Sequence, residues 1–171
     1  MPKPQKSEYG RFYDTYIDLV NEEDVLPALE KGPAETIPFL RTVSEAVSKI
    51  VHPPYTWNLK QVLGHMIDTE RVFAFRALCF ARGDQNSLPG FDENAYALVA
   101  EYDSRNWQDL VEEFDLTRRS NILMFRGFKA GDLLRVGIAS NNSVSVRALG
   151  YMMAGHERHH LGILRKRLQS A

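Results

Sequence analysis

Only one cysteine, Cys79, occurs among the 171 residues, and this excludes an internal disulfide framework. Its setting in RALCFARG is that of a small hydrophobe in a helix, so we assign it no chemistry. Long apolar runs are missing as well, and nothing approaches the roughly 20 residues of a membrane span. The opening MPKPQKSEYG has no apolar stretch behind its basic residues. Neither a secretory signal nor an anchor is expected there, and the cytoplasm is the default location. A dominant charge is absent too: 21 Lys and Arg face 22 Asp and Glu, for a net charge of −1. With RKR at 165–167 as its densest basic run, the chain offers no surface for nucleic acid. What remains, 44% apolar and 25% charged, is the composition of a globular protein. The length suits one domain, residues 1–171, that buries a core without a structural metal.

Periodicity points to helices and to no convincing strand, which makes the fold class all-α. Residues 1–32 form an N-terminal arm with an aromatic-rich piece, YGRFYDTYIDLV, that Gly10, Gly32 and Pro33 limit to a short packing element. A first long helix is expected from Pro33 to the HPPY stop at 52–55, with Pro38 inside it. Asn58 and Gln61 match a capping box opening a second helix over 58–82. A third runs from about Ser104 to Arg126 and stops at Gly127. Ser143 or Ser145 caps a fourth that continues to Leu168. The 21-residue connection between helices two and three is long enough to let those helices run parallel. The pattern is a four-helix bundle with that crossover and the arm covering one end or side.

Three of the five histidines fall within AGHERHHLGI, residues 154–163. On a helical wheel Leu149, Met152, Met153, His160 and Ile163 all lie within about 60° of His156, so His156 and His160 sit in the apolar stripe. His159 falls to one side, and Glu157, Arg158 and Arg165 occupy the far, solvated face. Two imidazoles one turn apart converge on a single ion, the reason H-x-x-x-H recurs in metal sites. The alternative is a pair of core histidines satisfied by carbonyls or hydroxyls. His65, on helix two, is the candidate third ligand. His52, beside HPPY, is a loop or cap residue. Asp68 and Glu70 could orient imidazoles or move protons, although ion pairing with Arg71, Arg76 or Arg82 is the plainer role. Leu161 and Leu168 lie off the stripe and call for a second packing surface, either the arm or a twin subunit.

TWNLKQVLGHMIDTERVFAFRAL, followed by RVGIASNNSVSVRALGYMMAGHERHHLGILRKRL, resembles the DinB/YfiT-like superfamily over about residues 33–168. The most specific parts are the Trp57–His65–Asp68 block, LPGFDENAY, the Arg135–Gly137 step and the His156–His160 motif. The resemblance implies a bundle in up-down-down-up order that forms a homodimer. It also implies one divalent ion, nickel or zinc ahead of manganese or iron, held by His65, His156 and His160. His159 lies off the motif and ranks as an alternate. Three ligands leave a position open, as catalytic metal sites do. The implied reaction is transfer of a low-molecular-weight thiol to a small-molecule substrate, with metal-dependent hydrolysis as the alternative. Weak candidates for the substrate pocket are Arg76, Arg135, Asp92, Glu93 and Tyr96. A third possibility is a non-enzymatic dimeric stress or interaction protein.

Overall fold

A computed structural model describes residues 2–169. Four long helices make up the bundle: α1 (Val25–Arg41), α2 (Leu59–Ala81), α3 (Trp107–Arg126) and α4 (Val146–Gln169). Both α1 and α2 pack against both α3 and α4, so the order around the bundle is α1, α4, α2, α3. One apolar cluster joins the C-terminal half of α2 to the arm and the start of α4. A second joins the N-terminal half of α2 to α3 around Trp107, which is fully buried.

Helix α2 begins as its sequence dictates: the Asn58 side chain accepts from the Gln61 amide, and the Gln61 side chain accepts from the Asn58 amide, both at 3.0 Å. For α4 the cap is Ser145 rather than Ser143, its hydroxyl accepting from the Ala148 amide. Helix α3 starts at Trp107, later than Ser104, because Asn106 caps it. Helix α1 departs most from expectation. It starts at Val25, ahead of Pro33, with Asp24 as cap, and it ends at Arg41, well before HPPY. Pro33 and Pro38 both lie inside it. A proline in mid-helix strips the carbonyl four residues back of its partner. For Pro33 that carbonyl is Leu29, which instead accepts from the buried Arg118 guanidinium at 3.4 Å. The helix survives its proline because a neighbouring helix supplies the missing donor.

Two strands form where none was expected. β1 (Val136–Ala139) pairs antiparallel with β2 (Asn142–Ser145). Ser140 and Asn141 turn the hairpin with φ of 51° and 62°, a left-handed pair that an asparagine tolerates. Four-residue strands carry too little alternation to register as periodicity. The crossover is ordered against this hairpin: Leu88 exchanges backbone hydrogen bonds with Ile138 and Ser140. Asp92 caps a short helical segment, Glu93–Val99, within the crossover.

The arm packs along α4. Arg147 holds Glu8 with two nitrogens, and the Tyr151 hydroxyl donates to the Glu22 carbonyl at 3.1 Å. Arg158 donates to the Leu19 carbonyl and pairs with Glu22 at 2.7 Å, so it is tied down rather than solvated. The backbone approach is close at Gly155, where a Cβ would lie 2.1 Å from the Tyr16 carbonyl oxygen. Leu161 is buried and, with Leu19 of the arm, lines a small hollow on this side of α4.

The far face of α4 is solvated at Arg165, which is exposed, but not at Glu157. Glu157 is 1% exposed and lies against α1 at Gly32, where any Cβ would meet its carboxylate. It accepts from Arg118, which also makes two bonds to Glu70, at 2.6 and 2.9 Å. Burial works against the Arg118 charge, yet the Glu157 and Glu70 carboxylates hold its pKa above the usual arginine value. Glu70 therefore pairs across the bundle and not with Arg71, Arg76 or Arg82. A helix wheel assumes one buried side, whereas α4 is covered by α1, α2 and the arm. No helix among the described residues is long and apolar enough to cross a membrane.

Candidate metal centre and cavity

His65 comes from the second turn of α2, and His156 and His160 from successive turns of α4. His156 Nε2 stands 3.0 Å from Nε2 of His65 and 3.0 Å from Nε2 of His160. The three residues form the one cluster among those described that could hold a metal ion, with ligand atoms all within 4.8 Å of one another. Burial, then repulsion between the rings, keeps His156 and His160 well below the ordinary histidine pKa. His65 is lowered as well, chiefly by burial. The imidazoles are therefore neutral, as ligation requires.

The donor set fits a divalent ion. A neutral ring nitrogen carries either one hydrogen or one lone pair, so His156 Nε2 cannot serve its two neighbours equally by hydrogen bonding. Three lone pairs aimed at one cation remove that conflict. Metal–imidazole bonds of about 2.0–2.1 Å put neighbouring ligand nitrogens roughly 3 to 3.4 Å apart, from right-angled to tetrahedral geometry, close to the 3.0 Å seen twice here. Imidazole nitrogen suits zinc, nickel and iron alike. Thr69 Oγ1 lies 3.4 Å from His65 Nδ1 and can orient that ring.

These histidines sit in the wall of a cavity of about 450 Å³, within the size range of small-molecule sites. The arm contributes Phe12, Tyr13 and Tyr16 to its lining, and the segment before α2 contributes Tyr55, Thr56 and Trp57. The Tyr16 ring meets His156 edge-on at 5.2 Å, and Trp57 lies 5.4 Å from His65. Burial raises the Tyr16 pKa, which keeps its hydroxyl protonated. From α2 come Thr69, Phe73 and Arg76, from the crossover Phe91, Glu93 and Asn94, and from the end of α4 Arg167.

The residues singled out in the sequence divide. Arg76 and Glu93 line the cavity beside the three histidines. His159 does not; it is half-buried, with its ring 5.3 Å from that of Tyr16. Asp68 pairs with none of the arginines either, and instead accepts a short hydrogen bond from the Tyr102 hydroxyl. Arg135 donates to the Ala81 carbonyl and pairs with Asp132, outside the cavity. Asp92 is spent on its cap, and the half-exposed Tyr96 packs its ring on Phe91. The aromatic arm and Arg167 were missed. Arg167 belongs to the basic RKR run, and only its 2% exposure marks it as different.

The bundle and its cluster define a class: a helical protein with three histidines from two helices turned into one aromatic cavity. The chain belongs to the DinB superfamily, whose family profile matches residues 28–164. No curated protein matches the sequence. Among solved structures, YfiT from Bacillus subtilis, described as a probable metal-dependent hydrolase with an unusual four-helix bundle topology, superposes with a TM-score of 0.77 at 14% identity. That match covers 98% of this chain and 92% of YfiT. A mycothiol-dependent maleylpyruvate isomerase superposes with a TM-score of 0.69 at 11% identity, over 81% of this chain and 58% of the isomerase. At these identities the two structures share the fold.

Proposed function

We propose that His65, His156 and His160 hold one divalent metal ion and that the protein is an enzyme acting on a small molecule in the adjoining cavity. The observation that carries this is the meeting of three neutral, largely buried imidazole nitrogens in the wall of a cavity large enough for a substrate. Nickel or zinc is favoured; iron also suits imidazole donors, and manganese, which prefers oxygen ligands, is the poorest fit of the four. When bound, such an ion acidifies a coordinated water or thiol. The chain's own residues do the rest: the aromatic walls offer apolar surface to the substrate, and Thr69 orients His65.

Thiol S-transfer is placed ahead of hydrolysis. Several low-molecular-weight thiols carry carboxylates, and Arg76 and Arg167 in the wall are suited to them. Hydrolysis is the second reading, favoured by Glu93, the one carboxylate in the lining and a candidate acceptor for a water proton. The up-down-down-up order, a homodimer and a cytoplasmic location belong to the same reading.

Elemental mass spectrometry of untagged protein purified without chelators, beside His65→Ala and His156→Ala, is the test. About one ion per wild-type chain, absent from both variants, is the expected result. Thiol and ester assays then separate transferase from hydrolase. Protein that is empty and takes up no ion on titration would overturn the enzyme reading and leave a non-enzymatic interaction protein.

A further inference from the structure

Four arginines are buried: Arg76, Arg118, Arg147 and Arg167, at 3%, 0%, 9% and 2% exposure. Two have their charge matched, Arg118 by Glu70 and Glu157, and Arg147 by Glu8. Arg76 and Arg167 have no carboxylate partner among the described residues, and these are the two that line the cavity. Arg76 donates through Nη2 to the Pro89 carbonyl at 2.8 Å and the Ser140 hydroxyl at 2.9 Å, and the Tyr13 side chain is a further partner. Arg167 gives Nη2 to the Trp57 carbonyl at 2.7 Å and lies over the Tyr55 ring, while its Nε is buried without an acceptor. All of these partners are neutral. Burial pulls the pKa of both below the usual arginine value, whereas Arg118 and Arg147 are raised by their carboxylates. A guanidinium nevertheless stays charged in a protein, so two cations without an ion-pair partner face one cavity, whose lining holds a single carboxylate, Glu93.

We propose that this cavity takes an anionic small molecule, its carboxylate or phosphate oxygens seated on Arg76 or Arg167 and its apolar body against the aromatic walls. The proposal rests on reading the cavity as the substrate site. Guanidinium offers a planar fork that matches either oxyanion. The two seats lie on opposite sides of the histidines. Arg167, near the end of α4, is bonded to Trp57 just before α2, and Arg76, late in α2, is bonded to Ser140 just before α4. At 1.5 Å per residue, Arg167 is roughly 10 Å along α4 from His160, and Arg76 roughly 16 Å along α2 from His65. A molecule anchored at Arg167 thus reaches the histidines with a body roughly 10 Å long.

Chelator-treated protein, in which no metal can bind an anion, is titrated calorimetrically with 3-phenylpropionate, phenyl phosphate and the neutral 3-phenylpropanamide. At least one acid is expected to bind tenfold or more tightly than the amide. Whichever acid binds better identifies carboxylate or phosphate as the favoured group. In the Arg76→Gln/Arg167→Gln double variant the preference is expected to fall below twofold with a melting temperature near that of the wild type, since removal of two unmatched buried charges offsets the hydrogen bonds lost to Pro89, Ser140 and Trp57. Equal binding of acid and amide by the wild type overturns the proposal without recourse to any variant. It is also overturned if the preference survives in the double variant, or if that variant melts far below wild type, which would make the two arginines structural. Metal content measured on unchelated samples keeps the two ideas apart. Bound metal without acid preference sinks only this inference, and acid preference without metal sinks only the metalloenzyme reading.

Discussion

The Nε2 atoms of His65 and His156 stand 3.0 Å apart although 91 residues separate them in the chain. The contact joins two helices packed along their length, and it is made between rings that burial has stripped of charge. Its sign under pH follows from that burial.

The pKa of His156 is depressed in the folded protein and near 6.5 in the unfolded chain, so below about pH 6.5 the unfolded state binds the extra proton. Stability of the metal-free protein is therefore expected to fall with pH below that point, by up to about 1.4 kcal/mol per pH unit from His156 alone. Melting temperatures of wild type and His156→Gln between pH 7.5 and 5 provide the check. The wild-type curve should be the steeper, and parallel curves would refute the account.

Arg118 ties α1, α2 and α4 to α3 through Leu29, Glu70 and Glu157. Arg118→Met leaves two buried carboxylates without their cation and is expected to cost about 3–5 kcal/mol, a melting point lower by roughly 6–20 °C. The exposed pair Arg126–Glu30, at 2.7 Å, is the control. Arg126→Met is expected to cost under about 1 kcal/mol. Equal shifts in the two variants would show that burial does not set the value of the Arg118 pairs.

Gly155→Ala drives a methyl group into the Tyr16 carbonyl and pushes the arm off α4. The expected cost is about 1–3 kcal/mol, with hydrogen-exchange protection lost in residues 9–20 while helix content is kept. Gly162 has nothing within 4 Å of an added Cβ. Gly162→Ala should stabilise the helix by up to about 1 kcal/mol. An arm equally protected in Gly155→Ala would mean that its seat on α4 is not fixed by that glycine.

Much of the bundle was legible because its signals are local. The Asn58 and Gln61 box lies within one turn, and the stop at Gly127 needs no knowledge of the rest of the chain. The histidine stripe of α4 was legible for the same reason, since a 3.6-residue period is a property of the chain itself. The prolines of α1 misled because Pro33 reads as a start only while its missing donor is counted within the helix. The carbonyl it frees is satisfied by Arg118, 89 residues away. Glu157 misled because a wheel cannot show how many neighbours surround a helix.

The sequence by itself determined that long helices form, the Asn58–Gln61 cap of α2 and the spacing that turns His156 and His160 to one side, all consequences of backbone periodicity and short-range hydrogen bonding. It also determined the DinB resemblance that the family match shows. Only the tertiary structure decided which charges are matched and which are left over. Arg118 and Arg167 look alike as letters, one in a run of charged residues on α3 and the other in RKR. Packing gives the first two carboxylates and the second a carbonyl, an aromatic ring and a place in the cavity wall. Charge compensation in a low-dielectric interior depends on distances across the fold, and no local pattern encodes them.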